Sequence, residues 1–281
     1  MTASPPTAPA LRRPGAPNEI GRRAATAGAA AAAGLFVLFL AVPVVQLVLL
    51  AGGSGLGKLA SDGELRGSLW LTWAAATGAT LLGVVGGTPL AWALARRPFR
   101  GRALVSALLD LPLLIPHPAA GIALLLALGR DSAAGRALLA LGLRVVGSPA
   151  GVVAAMLFVS APLYVSAARE AFARVDPRYE AVARTLGDSA WRAFRRVTLP
   201  LAFRGLVAAA VVMWARAVSE FGAIVVLVYN PKVASVLEYD RFTSYGLSEA
   251  LPVAAALVIL SLIPLSVLRA LRYERVPGVV S

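Results

Sequence analysis

Tyr179–Pro200 reads YEAVARTLGDSAWRAFRRVTLP, a polar, arginine-rich stretch set between two long apolar runs. Just before it, Asp176 offers a side-chain acceptor and Pro177 a ring that pre-sets the first helical φ, so a helix is expected to begin there. Gly187 supplies its C-terminus, because glycine enters the left-handed region without a Cβ penalty. Asp188 is expected to cap a second short helix from Ser189 onward. Pro200 is expected to end that helix before the next apolar run. Two short helices joined at an angle by Gly187 form a compact knuckle. Val182, Leu186, Trp191 and Phe194 give it apolar faces, while Arg184, Arg192, Arg195 and Arg196 stay solvated or meet anionic headgroups.

The flanks decide what kind of chain carries this knuckle. Of 281 residues 58% are hydrophobic and only 15% charged, and the mean hydropathy is +0.76, which in long charge-free runs means a bilayer rather than a soluble core. A net charge of +13 would suggest nucleic acid in a soluble protein, but here the bases are read by location. The absence of cysteine excludes disulfides and thiolate metal sites. With His117 as the single histidine, a His-based zinc site is excluded too.

Six spans are expected. The first follows a Pro/Ala/Thr-rich tail (Met1–Asn18) and Arg22–Arg23, and runs from Ala24 to Gly57 with a kink at Pro43. That run far exceeds the roughly 7–15 apolar residues of a secretory signal. The second is Ser68–Ala95, with Trp70, Trp73 and Trp92 as interfacial anchors. The third, Leu104–Leu128, holds LPLLIPHPAAG, where Pro112, Pro116 and Pro118 must interrupt the backbone ladder. Lipid cannot satisfy the freed carbonyls, so this stretch should face protein or a wet cavity. The fourth is Ser148–Ala168, the fifth Gly205–Tyr229 and the sixth Ala250–Leu268. Outer loops are expected at Ala51–Gly67 (Gly-rich), Arg130–Gly147 (with a short amphipathic segment) and Asn230–Glu249. Nineteen of the 27 Lys and Arg then lie on inner segments and seven on outer loops, which puts both termini in the cytoplasm. The domain plan is a tail at 1–23, an all-α transmembrane domain at 24–272 whose cytoplasmic loop spans about 172–203, and a tail at 273–281.

Within the spans, Arg216 and Glu220 lie four apart on one helical face. An unpaired charge near the bilayer centre costs roughly 2.5–3.5 kcal/mol on the insertion scale, so each needs a partner or water. Two readings stand open: a structural ion pair, or a polar lining of a translocation path that would also include Pro116, His117, Ser219 and Gly222. A lone histidine among prolines reads more readily as structural than as a ligand. Asp110 raises the same question.

The knuckle resembles the cytoplasmic "EAA" loop of ABC-importer permeases, in which a Glu-Ala-Ala triplet is followed by Gly, and ten residues after that Gly comes Ile-x-Leu-Pro. Here Gly187 leads at that distance to Val197-Thr198-Leu199-Pro200, with Ala183-Arg184-Thr185-Leu186 before it. The family's glutamate aligns with Ala181, and Glu180 lies one position earlier, an offset shared with molybdate-type permeases. LPLLIPHPAAG, SEFGA (Ser219–Ala223) and EYDRFTSYGL (Glu238–Leu247) extend the resemblance to molybdate/tungstate permeases over Glu64–Leu271. The resemblance implies a type I ABC-importer permease fold of six helices. Glu180, Ala183, Gly187, Asp188, Val197, Leu199 and Pro200 would then dock on a separate ATPase. It also implies a homodimer, an ABC ATPase dimer and an extracytoplasmic binding protein that delivers a tetrahedral oxyanion, with sulfate as the alternative cargo. ATP and Mg²⁺ would belong to the ATPase, with no cofactor in this chain, which has no Gly-rich phosphate loop. An intramembrane hydrolase is disfavoured by the lack of cysteine, paired carboxylates or histidine ligands, and an ion channel by the lack of anything resembling a selectivity filter.

Overall fold

The computed structural model describes the backbone of residues 19–273, and every element there is helical. Of the tails expected at 1–23 and 273–281, residues 1–18 and 274–281 lie outside the described residues. Helix α1 (Glu19–Ser61) starts inside the segment read as tail and continues through the segment read as a glycine-rich loop. Glycines are common in membrane helices and need not end one. The chain divides into two units, Met1–Leu49 and Leu50–Ser281. The first carries a run of exposed apolar side chains, Leu35 to Leu49, which suits lipid or another protein surface.

In the second unit Asp62 alone separates α1 from α2 (Gly63–Arg96), and its carboxylate caps α2 by accepting the Leu65 N–H at 3.0 Å. The expected outer loop Ala51–Gly67 is therefore replaced by a single capping residue. Helix α2 buries a stripe of small residues, Ala75, Ala76, Ala79, Thr80, Gly83 and Gly87. It packs most extensively on α6 (Pro149–Ala173), and α6 in turn on α9 (Leu199–Val218). Small side chains let helix backbones approach where no hydrophobic force favours protein over lipid. The buried Thr80 hydroxyl donates back to the Ala76 carbonyl at 2.7 Å, so it costs the apolar interior little.

The third expected span is not one straight helix. Helices α3 (Arg102–Leu114) and α4 (His117–Leu128) meet at Ile115–Pro116 with a 118° bend. Pro116 disfavours helical backbone at the residue before it, and Ile115 is extended at φ −76°, ψ 144°. Among the described residues five helices are long and apolar enough to cross a bilayer, six if this bent pair is one crossing. The short α5 (Ala133–Ala140), capped by Ser132, is the expected amphipathic segment.

The knuckle holds α7 (Pro177–Thr185) and α8 (Ala190–Ala193), followed by a π-helical turn, Phe194–Thr198, that leads without interruption into α9. Pro200 therefore does not end the second helix but sits in the first turn of α9. Its missing N–H leaves the ladder short of a donor, and the Leu199 N–H reaches back five residues to the Phe194 carbonyl. The fifth expected span breaks as well. Helix α9 ends at Val218, and α10 (Gly222–Leu227) starts after a three-residue turn. The loop expected at Asn230–Glu249 contains α11 (Ala234–Tyr245), and α12 (Leu247–Tyr273) is the last long helix.

Candidate functional site

At the knuckle the backbone closes in a Schellman motif. The Asp188 N–H reaches the Ala183 carbonyl at 3.1 Å and the Gly187 N–H reaches Arg184 at 3.1 Å. Gly187 adopts φ +97°, as a glycine at this position should. Asp176 caps α7 through the Arg178 N–H at 2.9 Å. The second helix is capped by Ser189 rather than Asp188, through the Arg192 N–H at 3.3 Å. Asp188 turns sideways instead and lies 3.5 Å from both Arg192 and Arg196, which outbid the helix terminus for its charge.

Glu180 has a partner that sequence reading missed. Its Oε2 accepts the Thr198 hydroxyl at 3.1 Å, and Thr198 is buried, so α7 is tied across the bend to the π-turn. No local spacing rule joins positions eighteen apart, which is why this contact was invisible in sequence. Phe194 anchors the knuckle by lying 5.4 Å from Trp92, 5.5 Å from Trp191 and 6.1 Å from Phe172. Arg97 sits over the Trp92 ring at 4.8 Å, and Arg96 donates to the Val175 carbonyl. Trp92 thus fixes the knuckle to α2 as well as sitting near a helix end. Val197 and Leu199 are half-buried on the same join, whereas Pro200 is exposed. Facing outward are Tyr179, Val182, Leu186 (84% exposed) and Trp191 (66% exposed).

The second cluster forms where the two broken helices meet. His117 opens α4, while Arg216 lies in the last turn of α9 and Glu220 just beyond its end. Glu220 Oε2 is 2.7 Å from His117 Nδ1 and 2.9 Å from Arg216 Nη2. Its Oε1 accepts the Ala223 N–H at 2.8 Å, which turns the carboxylate into a cap for α10. The side chain of Glu220 is 1% exposed, Arg216 23% and His117 41%. Arg216 Nη2 also lies 3.0 Å from His117 Nε2, and its Nη1 donates to Ser219 at 3.3 Å. Nη2 lies closer still to Nδ1, at 2.7 Å, so the guanidinium, the imidazole and the carboxylate form one three-way contact. Gly222 makes the approach possible, since a Cβ there would lie 2.6 Å from the His117 Cβ and 3.1 Å from the Pro118 ring. Pro116 supplies the bend that turns His117 toward the α9 end. The structure thus brings all six expected path residues to one place. His117 is no isolated histidine, and Asp110, exposed on α3, takes no part. Two further groups join from α11: the Ser235 hydroxyl donates to the Glu220 carbonyl at 2.8 Å, and the Tyr239 ring lies 5.1 Å from that of Phe221, tilted against it.

A third polar group ties α11 to the start of α2. Arg241 lies 2.7 Å from Asp62 and 3.2 Å from Glu64, and Lys232 lies 2.7 Å from Asp240. The Lys232 ammonium and then the Tyr229 hydroxyl hold Asp240 below the usual carboxylate range, and Asp240 in turn holds Lys232 above the usual lysine value. Burial alone would raise Asp62, but the Leu65 N–H and the Arg241 guanidinium outweigh it and keep it low.

Residues 83–274 match the family model of the binding-protein-dependent transport system inner membrane component, and the chain belongs to that family. Among curated relatives it is similar to the molybdate/tungstate transport system permease protein WtpB of Thermococcus kodakarensis, 41% identical over 83% of this chain and 90% of that one. It is also similar to the WtpB protein of Pyrococcus furiosus, 43% identical over 71% of this chain and 73% of that one. Among solved structures, a chain of a bacterial ABC transporter involved in the import of the acidic polysaccharide alginate superposes with a TM-score of 0.71 over 91% of this chain and 96% of that one, at 17% identity. That likeness shows the fold alone; the family match together with the long apolar helices makes the chain a multi-pass membrane protein.

Proposed function

We propose that this chain is the permease subunit of an ATP-driven importer for a tetrahedral oxyanion, molybdate or tungstate, working as two copies with both termini in the cytoplasm. The relatives' substrate supports the cargo, and the excess of arginine on the knuckle side supports the orientation. An ATPase dimer that carries ATP and Mg²⁺ docks on the knuckle, and an extracytoplasmic binding protein delivers the anion to the opposite face.

The observation that carries this reading is the exposed apolar face of Tyr179, Val182, Leu186 and Trp191 on a rigid, doubly tied bend. Large apolar side chains clustered on a charged, water-facing knuckle mark a protein contact. The Schellman closure, the Glu180–Thr198 bond and the Phe194 aromatic anchor make that contact stiff enough to move α9 rather than bend away. Ala183, Gly187 and Asp188 set the shape of the bend, and Val197, Leu199 and Pro200 set its join to α9. The test is Leu186→Asp with Trp191→Asp in the co-expressed transporter. The expected result is loss of ATPase co-purification and of oxyanion uptake, with membrane yield unchanged. Normal co-purification would refute the docking role, and uptake of sulfate alone by the parent would reassign the cargo.

A further inference from the structure

The cluster of His117, Arg216 and Glu220 divides into a hidden part and an open part. Glu220 is all but inaccessible and spends its two oxygens on three donors, Arg216, His117 and the Ala223 N–H. Burying a carboxylate is costly unless its oxygens are hydrogen-bonded, and here both are engaged. The carboxylate therefore sits behind the cluster, with its charge already spread over its partners. Arg216 and His117, by contrast, remain partly accessible. A partly exposed guanidinium about 18 Å of helical rise beyond Arg204 cannot face hydrocarbon cheaply, so its exposed part must meet water or protein.

We infer that Arg216, with His117 and Ser219 beside it, is a contact site for the tetrahedral oxyanion in the translocation path, and that Glu220 is the positioning residue that aims it. The inference rests on the oxyanion reading above and deepens it. Arginine presents several N–H donors in a fixed plane that matches two oxygens of a tetrahedral anion. Only Nη2 is committed to Glu220 and His117, and Nη1 has the exchangeable Ser219 hydroxyl as its partner. The buried counter-charge has a second consequence. A free arginine in a dry site would hold a dianion too tightly to release it, whereas one already half-neutralised from behind binds weakly enough to pass it on. Ser235, which donates to the Glu220 backbone, steadies the same turn from α11.

The competing account is a purely structural ion pair, and the two differ on one variant. If the pair only stabilises the fold, Arg216→Met strands a buried carboxylate, and adding Glu220→Gln relieves it. If Arg216 touches the anion, the second change cannot restore what the first removed. The experiment uses the complete transporter in proteoliposomes with molybdate, tungstate and sulfate as the probes. Initial uptake is measured alongside the thermal midpoint of the detergent-solubilised complex. The expected result is uptake lowered more than tenfold in Arg216→Met, equally low in the double variant, and partly recovered in Arg216→Lys. Double-variant uptake within twofold of the parent would overturn the inference in favour of the structural pair, as would unchanged uptake in Arg216→Met. A parent complex that moves none of the three anions would instead overturn the oxyanion reading, and this site with it.

Discussion

Two bends in this chain turn on a glycine, and the two glycines are needed for opposite reasons. At the knuckle Gly187 sits at φ +97°, and a Cβ built there would meet nothing within 4 Å. At the joint of the broken helices Gly222 has no left-handed backbone, yet a Cβ there would run into His117 at 2.6 Å. The first glycine is required by torsion and the second by space. The knuckle is an exposed device held by its own hydrogen bonds, with no buried residue in α7. The joint is held by its surroundings, and its charged groups are tolerated only because each finds a partner there.

The comparison can be broken most sharply at the joint. Gly222→Val should have the largest effect, because α4 and α10 must separate to admit the side chain. Overpacking of this kind costs about 1–3 kcal/mol and would also prise His117 from Glu220. The expected readout is a thermal midpoint lowered by several degrees together with lost uptake, and parent-like values for both would show that the joint is looser than described. Gly187→Val comes next, with the opposite profile. The left-handed backbone penalty of about 1–2 kcal/mol falls on an exposed bend, so membrane yield should hold while ATPase coupling fails. Gly187→Asn, which tolerates that conformation, should retain much of the coupling. Equal damage from valine and asparagine would mean that space matters at Gly187 after all.

The smallest effect is expected at the far tie. Asp240 has its pKa lowered in the folded state, so its contribution is present above about 3.8 and lost as pH falls through the lowered value. Lys232 is raised, so its contribution is present below about 10.5 and lost as pH rises through the raised value. Lys232→Met should therefore cost about 0.2–1 kcal/mol, constant across the neutral range, and the deficit should vanish on strong acidification. A deficit in melting temperature that grows between pH 5 and pH 3 would contradict the pairing.

What the sequence made legible follows the range of the forces involved. Asp176, Pro177 and Gly187 act within one turn, so the start and stop of α7 could be read directly. Ser189 took the capping role expected of Asp188 because Arg192 and Arg196 compete for the carboxylate, and that competition is visible only once the helix is folded. Prolines 112, 116 and 118 announced a broken third span, yet not the 118° turn, which depends on what α4 packs against. The break after Val218 carried no proline signal, and the polar Arg216, Ser219 and Glu220 around it announced a need for partners rather than a break. It exists because Glu220 leaves the helix to meet His117, 103 positions away, and cap α10. The offset of Glu220 from Arg216 pointed to a pair, but only the fold could add the histidine.

The π-turn at Phe194–Thr198 fixes a phase as well as a join. It fits one residue more into the turn than an α-helix would, while leaving a continuous rod from Ala190 to Val218. Each residue is worth about 100° of rotation, so that extra residue sets which way Trp191 faces when Arg216 faces the joint. Removing one residue from the turn would leave composition, hydropathy and charge almost untouched. It would swing the knuckle around the axis of α9 by more than a quarter-turn, and a motor fastened there would push in the wrong direction.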